Sequence, residues 1–298
     1  MRTILYKQCP ICGSYDIEKA LATRDYSISG EAFDLFDCHN CGLRFTQEIP
    51  APEQIGRYYQ SENYISHSNT KKGIINRLYH AAREYMLRSK QQLVQSLSSQ
   101  KRLLDVGCGT GYFMNHMRTQ GYDVLGIEVD EGARNFGIEQ FGLDVRPPAE
   151  LEAGALPGKF GVISMWHVLE HVYDPKLYLR RLHEALEADG VLMIAVPNYQ
   201  SLDGRKYAGH WAAYDVPRHL WHFSPKTLTN LAEESGFKVV GMKGMPLDPF
   251  YVSLLSEKYR GSGILALPLG ALSGLRSLLK SLNRPKNASS IIYILKKA

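Results

Sequence analysis

Four apolar runs, separated by segments of helical periodicity, dominate the chain from Arg102 onward. The runs are RLLDVG, YDVLGIE, FGVISMW and GVLMIAVPN, and each is rich in Val, Ile or Leu, as strands buried on both faces are. Helices are predicted between them at residues 112–120, 131–140 and 175–188, the last ended by Asp189 and Gly190. This alternation predicts an α/β fold with a doubly wound parallel sheet.

The pattern changes after Pro197. A loop rich in Tyr, His and Trp precedes a predicted helix that begins near Ser224 and Pro225, and strands are predicted at residues 237–242 and 290–295. An insertion at about residues 248–288 separates these strands and carries a helical stripe of leucines with basic residues nearby. We favour a lid or dimer face packed against protein for it; the alternative is a membrane surface contact that admits a lipid-linked acceptor. The stripe consists of Leu265, Leu269, Leu272, Leu275, Leu279 and Leu282, and the basic residues are Arg276, Lys280, Arg284 and Lys286.

The first hundred residues divide into two parts of different character. Residues 1–50 are rich in turns, with predicted strands at residues 35–37 and 43–46, and are expected to form a small module. Residues 51–100 are predicted to form a helical bridge to a large domain at residues 101–298. The apolar stripe of the bridge consists of Ile74, Leu78, Ala81, Ala82, Tyr85, Met86, Leu93, Val94 and Leu97.

The composition is that of a globular protein, with 44% hydrophobic and 22% charged residues among 298. The formal net charge is +5, but Lys and Arg are spread along the sequence, so polyanion binding is not favoured. No apolar run approaches the roughly 20 residues of a membrane span, and the start lacks the apolar stretch of a secretory signal. We therefore expect a cytoplasmic protein.

Four of the five cysteines form two close pairs near the N-terminus. Cys9 and Cys12 lie in CPICG, and Cys38 and Cys41 lie in CHNCG. Two such C-x-x-C turns can close one tetrahedral site of four thiolates, which has no open position and is typical of structural zinc. A redox dithiol and simply buried cysteines are the alternatives, and His39 could replace one of the ligands. We predict a structural zinc ion in a small ribbon.

A glycine-rich turn follows the first predicted strand of the large domain. In LLDVGCGTGYF, residues 103–113, glycines occupy positions 107, 109 and 111 and lead directly into a helix. Glycines at such a turn let backbone amides approach a ligand, and the G-x-G-x-G spacing differs from that of dinucleotide folds. Glu128 ends the next strand, where a carboxylate can accept both hydroxyls of a ribose. The pair predicts a site for a nucleoside without a diphosphate.

These residues make the sequence resemble the class I S-adenosylmethionine-dependent methyltransferases, whose first motif is an acidic residue followed by G-x-G-x-G. Three further segments match one broad subgroup of them: WHVLEHVYDP, VPN and DVPRHLWHFSPKTL, at residues 166–175, 196–198 and 215–228. The resemblance implies a seven-stranded Rossmann-like sheet with an antiparallel last strand, and S-adenosylmethionine as cofactor. It also implies that the cofactor contacts Asp105, Gly107, Cys108, Gly109, Gly111, Glu128, Val129, Ala149, Glu150, Trp166 and His167.

Methyl transfer to an acceptor needs alignment of the reactants and a general base, for which histidine is the commonest residue near neutral pH. His219 and His222 follow the strand that ends near the acceptor, and the resemblance to zinc-module sugar methyltransferases favours His219; hydrogen bonding within the loop is the alternative for both. His167 and His171 are expected to organise the loop after the fourth strand of the large domain, with a catalytic role as the alternative. Tyr214 is a third candidate, since Tyr207, Trp211 and Tyr214 either line the acceptor pocket or pack in the core.

The cysteine ribbon and the RYYQSENY segment at residues 57–64 resemble the front of zinc-bearing methyltransferases that act on sugars or small metabolites. Tyr58, Tyr59 and Tyr64 either cover the mouth of the active site or pack the bridge helix. We expect methyl transfer to a small-molecule acceptor, with a sugar or nucleotide-sugar as first choice. Two alternatives remain: an RNA O- or N-methyltransferase that holds nucleic acid with the ribbon, and a non-catalytic scaffold that binds the cofactor.

Overall fold

A computed structural model describes residues 3–59 and 74–298, with residues 74–79 described by their backbone alone. Within these ranges the strands are β1 (Thr3–Ile4), β2 (Ile17–Arg24), β3 (Ala32–Cys38), β4 (Arg44–Thr46), β5 (Ile49–Pro50), β6 (Arg102–Val106), β7 (Asp123–Ile127), β8 (Asp144–Arg146), β9 (Phe160–Trp166), β10 (Leu186–Pro197), β11 (Trp221–His222), β12 (Phe237–Gly244) and β13 (Ser290–Lys297). The helices are α1 (Ile74–Leu97), α2 (Tyr112–Thr119), α3 (Glu131–Phe141), α4 (Pro148–Glu152), α5 (Pro175–Ala185), α6 (Leu202–Tyr207), α7 (Pro225–Glu234), α8 (Asp248–Tyr259) and α9 (Ala266–Ser281).

The central sheet has seven strands in the order β12-β13-β10-β9-β6-β7-β8. Strands β6 to β10 pair in parallel, whereas β13 runs antiparallel to both of its neighbours. The middle strands are buried on both faces, as their continuous apolar sequences predict. The predicted seven-stranded α/β sheet with an antiparallel last strand is confirmed. Its parallel strands bring their carboxyl ends to one edge, where open α/β sheets bind ligands.

The helices around the sheet begin where polar side chains cap them. The Asp130, Asp174 and Ser224 side chains each accept a hydrogen bond from a backbone amide of the first turn. One predicted boundary is wrong: the helix expected at residues 175–188 ends at Ala185. The chain enters β10 there because fully buried Leu186 pairs with Phe160 of β9, so sheet pairing outweighs the helical pattern.

The bridge helix α1 buries only part of its predicted apolar stripe. Leu93 and Val94 are buried, and Met86 and Leu97 pack against the same core. The prediction is wrong for Ala81, Ala82 and Tyr85, which are exposed on the described surface. Among the described side chains of the helix, the apolar ones that pack on the sheet begin at Met86. The side chains of Ile74 and Leu78 lie outside the described residues.

The cysteine-bearing module shares a sheet with a loop of the large domain. This second sheet has the order β11-β4-β3-β2, and Trp221 of β11 pairs with Phe45 of β4. The Thr46 amide donates to the carbonyl of Leu220, and the two parts bury one continuous apolar core. The predicted boundaries at residues 50 and 100 stay predictions, but the module is joined to the loop after β10 by backbone hydrogen bonds.

The insertion between β12 and β13 folds as a helical pair, α8 and α9. Helix α9 packs its small residues on α8, and the buried members are Ala266, Gly270, Ser273, Gly274, Ser277 and Ser281. All six leucines of the predicted stripe are instead 40% to 63% exposed. Within the described part of this single chain the stripe does not pack against protein, so a lid closed by the leucines is not observed. A dimer face and a membrane contact stay predictions.

Candidate active site

The glycine turn between β6 and α2 has the backbone conformation that its sequence predicts. Gly107, Gly109 and Gly111 all have positive φ, at 71°, 55° and 80°, a region that side chains disfavour. A Cβ at Gly107 would lie 2.2 Å from a methyl group of Val168, whereas a Cβ at Gly109 would meet no heavy atom within 4 Å. The turn thus packs tightly on one side and leaves open space at Gly109, as a ligand cradle requires.

Glu128 lies beside this turn and is 9% exposed. Its Oε2 accepts a hydrogen bond from the Gly109 amide at 2.7 Å, and its Oε1 accepts one from the Asp130 amide at 2.9 Å. Each carboxylate oxygen has a second lone pair, so the group can still accept from a ligand. Val129, which follows it, is 76% exposed.

Asp105 is buried beneath the turn at the end of β6. The Ser164 hydroxyl donates to its Oδ1 at 2.6 Å. Burial raises the pKa of Asp105 to about 6, although this hydrogen bond and the charge of Lys90 oppose the shift. Cys108 lies above it in the turn, and burial also raises the pKa of its thiol. The hydrogen bond joins the end of β6 to β9 directly below the turn.

Ala149 and Glu150, predicted at the adenine, lie in the short helix α4 after β8. Glu150 Oε2 accepts from Arg146 Nη1 at 3.0 Å on the partly exposed rim. Both residues follow the carboxyl end of a strand adjacent to β7. They are therefore on the edge of the sheet that carries the glycine turn and Glu128.

Trp166 ends β9, and a residue that the sequence gave no reason to select lies over it. Lys90 of α1 places its Nζ 4.2 Å from the centre of the Trp166 ring, a cation–π distance. Burial lowers the pKa of Lys90 to about 8, although the charges of Asp105 and Asp248 oppose the shift. The indole Nε1 of Trp166 is buried without a hydrogen-bond partner among the described residues. A lysine and an unsatisfied donor thus lie together beside Asp105 and the glycine turn, a region that we call the cleft.

His167 takes a left-handed backbone conformation, with φ of 56°, directly after β9. Its Nε2 lies 3.2 Å from Asp248 of α8, and its Nδ1 lies 3.4 Å from Glu170. Burial alone would lower the pKa of His167, but its interactions with Asp248 and Glu170 raise the pKa to about 10. His167 is therefore an imidazolium held between two carboxylates.

Glu170, His171 and His219 form a compact cluster in the loops that follow β9 and β10. Their ligand atoms lie within 4.8 Å of one another, and the two rings meet edge to face with centroids 4.5 Å apart. Glu170 is fully buried, and its closest polar neighbour is His167 at 3.4 Å. Burial opposes its ionisation, but His167 and the nearby histidines hold the pKa of Glu170 below its usual value. The ionised form of Glu170 is therefore favoured.

Backbone carbonyls fix the tautomers of both histidines in this cluster. His171 Nδ1 donates to the Arg218 carbonyl at 3.0 Å, and His219 Nδ1 donates to the Ala213 carbonyl at 2.9 Å. An imidazole that donates through Nδ1 keeps a lone pair on Nε2. The Nε2 of His219 lies 4.0 Å from Asp215. Burial, followed by the charge of His219, lowers the pKa of His171 to about 4, so His171 stays neutral.

Arg218 connects the loop that carries His219 to the cysteine module. Its guanidinium is fully buried and donates to Asp215, Asp25, Ser27 Oγ and the Tyr58 carbonyl at 2.6 to 3.0 Å. Asp25 also accepts from three backbone amides of the turn between β2 and β3. The module therefore helps to position the loop.

His222 and Tyr214, the other predicted catalytic residues, are more deeply packed than His219. His222 is 3% exposed and bonds through Nε2 to Thr46 Oγ1 at 3.0 Å, and burial lowers its pKa well below the usual value. Tyr214 is 1% exposed and accepts from Arg44 Nη1 at 2.7 Å. It belongs to an aromatic cluster with Tyr207 and Trp211. The catalytic roles of His222 and Tyr214 stay predictions. The packing of Tyr214 with Tyr207 and Trp211 agrees with the alternative that these three residues belong to the core.

Of the three tyrosines before the bridge helix, two are described. Tyr59 places its hydroxyl 3.1 Å from His171 Nδ1 and so covers the histidine cluster. Tyr58 is 1% exposed and donates to Glu31, which fixes it in the module. Tyr64 lies outside the described residues.

The four predicted zinc ligands come together at one end of the module. Cys9 Sγ lies 3.6 Å from Cys41 Sγ, and Cys12 Sγ lies 3.5 Å from Cys38 Sγ. A tetrahedral site with Zn–S bonds of about 2.3 Å has sulfur–sulfur edges of roughly 3.8 Å, so the spacing fits a zinc ion. His39 points away from the cluster, with Nε2 3.1 Å from Glu18.

Comparison with known proteins identifies the family of this chain. The profile of a methyltransferase domain family matches residues 78–241, which is more than half of the chain. A ubiquinone biosynthesis O-methyltransferase of Cereibacter sphaeroides is 32% identical over 161 residues, covering 50% of this chain and 64% of that protein. Its counterpart in Bordetella pertussis is 29% identical over 182 residues, covering 57% and 75%. The chain thus spans slightly less than two thirds of the Cereibacter relative.

Solved structures show the same fold. An S-adenosylmethionine-dependent methyltransferase of Archaeoglobus fulgidus aligns with a TM-score of 0.50 and 22% identity, covering 72% of this chain and 94% of that one. A putative sarcosine dimethylglycine methyltransferase of Galdieria sulphuraria aligns with a TM-score of 0.50 and 17% identity, covering 73% and 86%. At these identities the likeness concerns the fold alone. Together with the profile match over residues 78–241, it shows that the chain belongs to the methyltransferase domain family.

Proposed function

We propose that this protein transfers a methyl group from S-adenosylmethionine to a hydroxyl oxygen of a small molecule, with His219 as general base. The observation that carries the proposal is the free Nε2 lone pair of buried His219, on the same side of the sheet as the open glycine turn. A base with this tautomer can accept a proton from a hydroxyl at hydrogen-bond distance. The relatives are named O-methyltransferases, which supports oxygen as the acceptor atom.

The residues of the cleft fit the parts of the cofactor. The two lone pairs that remain on the Glu128 carboxylate suit the ribose hydroxyls, and the space at Gly109 lets the ligand approach the backbone. The Lys90 ammonium, beside Asp105 and Trp166, suits the carboxylate of the methionine part. The bound cofactor supplies a methyl group on a positively charged sulfur. The protein mainly has to align the acceptor with it.

Proton removal is the step that the side chains of this site perform. His219 Nε2 takes the hydroxyl proton, and the resulting imidazolium is stabilised by the carboxylates of Asp215, 4.0 Å away, and Glu170. Neutral His171 packs against the ring and, through its bond to the Arg218 carbonyl, holds the loop in place. Tyr59 closes the cluster from solvent. Base catalysis of this kind typically contributes 10²- to 10⁴-fold in rate.

The predicted sugar or nucleotide-sugar acceptor has no support from the relatives, whose names refer to ubiquinone biosynthesis. It therefore stays a prediction. An assay of S-adenosylhomocysteine release over a panel of nucleotide sugars and of phenolic compounds would identify the acceptor class. Turnover with either group supports hydroxyl methylation, whereas methylation of amines alone would contradict it.

The test of the base is His219→Asn with His183→Asn as matched control. His183 lies on α5 beside Phe237, at the opposite edge of the sheet. We expect His219→Asn to lose at least about 10²-fold in turnover while calorimetry still detects S-adenosylmethionine binding. Equal turnover of both variants would refute the role of His219. A chain that binds neither S-adenosylmethionine nor S-adenosylhomocysteine would refute the whole proposal.

We also propose that Cys9, Cys12, Cys38 and Cys41 hold one structural zinc ion. Four thiolates leave no open coordination position, and Gly13 and Gly42 take the positive φ that the turn after each pair needs. Metal analysis of the purified chain should give about one zinc per molecule. Cys38→Ser should lower this content, whereas Cys108→Ser should not. Absence of zinc from the wild-type protein would contradict the assignment.

A further inference from the structure

Helix α9 and the turn before it present an exposed leucine face. The face consists of eight apolar side chains that are 40% to 95% exposed: Ile264, Leu265, Leu267, Leu269, Leu272, Leu275, Leu279 and Leu282. Isolated apolar residues on a surface are ordinary, but a contiguous group of this size marks an interaction site. The proposed methyltransferase activity makes no use of this face.

The packing of α9 on α8 fixes the direction of the leucine face. A Cβ at Gly270 would lie 2.7 Å from Leu254 Cα, and one at Gly274 would lie 2.7 Å from Phe250 Cα, so the two helices touch along their small residues. Ser277 donates to buried Asp203 at 2.7 Å and anchors the same side. At about 100° per residue, the leucines occupy the opposite side of the helix. A rotation that buried them would break these contacts.

The net positive charge of the chain lies in the sequence segment that carries this face. Residues 258–298 contain eight basic residues and no Asp or Glu, so residues 1–257 carry a net charge of −3 although the whole chain carries +5. Lys and Arg are spread along the sequence, but the absence of acidic residues leaves this segment with a net positive charge. Arg276 and Lys280 are exposed at the border between the leucine face and the small-residue side. The eight are Lys258, Arg260, Arg276, Lys280, Arg284, Lys286, Lys296 and Lys297.

We propose that the leucine face docks on the surface of a lipid bilayer that contains anionic headgroups. A helix with leucines on one side and basic residues at its border can bury the leucines at the acyl boundary while the cations contact the headgroups. A second copy of the chain fits less well, because two such faces would bring basic segments together with no acidic residue from either segment between them. The charge pattern thus favours an anionic bilayer over a second copy of the chain.

The helix lies on the bilayer and does not cross it. Residues Gly263–Ser281 form the one described helix that is long and apolar enough to span a membrane by length and composition. Crossing would separate α9 from α8 and expose the polar side of Ser273, Ser277 and Ser281 to lipid. It would also carry Arg276 into the membrane. The chain returns from α9 directly into β13 of the central sheet, which fits attachment by one face.

Docking through this face would couple the bilayer to the cleft. Helix α8, on which α9 packs, begins at Asp248, the carboxylate that lies 3.2 Å from His167 Nε2. One helical pair therefore supplies both the docking surface and a residue of the candidate active site. The docking proposal itself is independent of the proposed methyl transfer, because it rests on exposure and charge alone.

Flotation of the purified full chain with vesicles tests the proposal. Vesicles of phosphatidylcholine alone are compared with vesicles that also contain phosphatidylglycerol. One variant, Leu272→Gln/Leu275→Gln/Leu279→Gln, removes the apolar contribution to vesicle binding. A second, Arg276→Gln/Lys280→Gln, removes part of the electrostatic contribution. Lys238→Gln/Lys243→Gln on β12 is the matched charge control, and Leu5→Gln/Ile138→Gln is the matched apolar control. All these side chains are exposed, so circular dichroism and the melting temperature should not change.

We expect the wild-type chain to float with anionic vesicles and to bind neutral ones at least tenfold more weakly. A basic residue near an anionic surface contributes a factor of about five, so Arg276→Gln/Lys280→Gln should weaken binding about 25-fold. The triple leucine variant should not float, and both control variants should bind as the wild type does.

Three results would overturn the proposal. The first is a wild-type chain that stays in the soluble fraction with anionic vesicles. The second is a dimer in analytical ultracentrifugation that the triple leucine variant dissociates, which would assign the leucine face to contact between copies. The third is vesicle-bound protein that resists an alkaline carbonate wash, which would show a membrane-crossing helix.

Discussion

Replacement of Arg218 by Met tests whether the cysteine module positions the loop of the candidate active site. The guanidinium and the Asp25 carboxylate are both fully buried and lie 3.0 Å apart. The same guanidinium holds Asp215 at 2.6 Å, next to His219. Arg218→Met keeps most of the buried apolar volume of the side chain but leaves two carboxylates without their cation. It therefore removes the charge link together with the hydrogen bonds to the Tyr58 carbonyl and to Ser27 Oγ.

The expected cost follows from the burial of the pair. Loss of one partner of a buried ion pair typically lowers the free energy of unfolding by roughly 3–5 kcal/mol, because the other charge stays buried and unpaired. Domains are stable by only about 5–15 kcal/mol, so the variant should unfold at a clearly lower urea concentration. Asp25→Asn should cost less, since Arg218 keeps Asp215 as partner. The double variant should cost less than the two single changes added together.

Urea unfolding followed by circular dichroism measures these differences. Lys19→Met is the matched control, because Lys19 pairs with Asp34 on the surface, where the two side chains are 53% and 43% exposed. An exposed pair is worth about 0–1 kcal/mol, so this variant should behave nearly as the wild type. If Arg218→Met costs no more than Lys19→Met, the link between module and loop does not stabilise the protein, and the reasoning fails.

Three further predictions concern the cleft. Gly107→Ala should lower the free energy of unfolding by about 1–3 kcal/mol more than Gly109→Ala, because only Gly107 faces Val168; calorimetry should show that Gly109→Ala instead weakens S-adenosylmethionine binding. Lys90→Met should weaken S-adenosylhomocysteine binding at least about tenfold but leave adenosine binding unchanged, and an equal loss for both ligands would contradict the carboxylate contact. The pKa of His167 is about 10 in the folded state against an ordinary 6.5. Protonation of His167 therefore stabilises the folded state fully below pH 6.5, and this stabilisation is lost as the pH rises towards 10. Asp248→Asn should flatten this decline in urea midpoints between pH 6.5 and 10, and an unchanged slope would refute the pairing.

The parts of the site that the sequence predicted are those set by local pattern. The glycine turn, Glu128 at the end of β7 and the paired cysteines each depend on residues close together in the chain. Backbone geometry allows few alternatives for such spacings. His219 was selected by its place after a strand and by the resemblance to zinc-module sugar methyltransferases, and the structure adds a tautomer that suits the proposed role as base.

Residues that reach the cleft from distant elements could not be found in this way. Lys90 lies on a helix that the sequence identified only as a bridge, and its position over Trp166 depends on how α1 docks. Asp248 approaches His167 from the insertion, 81 positions further along the chain. The same holds for Arg218, whose partner Asp25 is 193 positions away. No periodicity or spacing encodes such contacts, because they arise from packing between elements.

The position of the cysteine module makes the proposed zinc ion relevant to the proposed catalysis without any contact with the substrate. Strand β4 follows Cys41 by three residues and pairs with β11, while Thr46 Oγ1 donates to the carbonyl of His219 at 2.8 Å. A small turn-rich segment has little core of its own, so metal binding decides whether it holds its shape. If the module unfolds, β4 no longer pairs with β11 in the loop that carries His219, and Arg218 loses its ion pair with Asp25. Loss of zinc should therefore abolish turnover by displacing His219, while the glycine turn and Glu128, which depend on the central sheet, keep their affinity for S-adenosylhomocysteine.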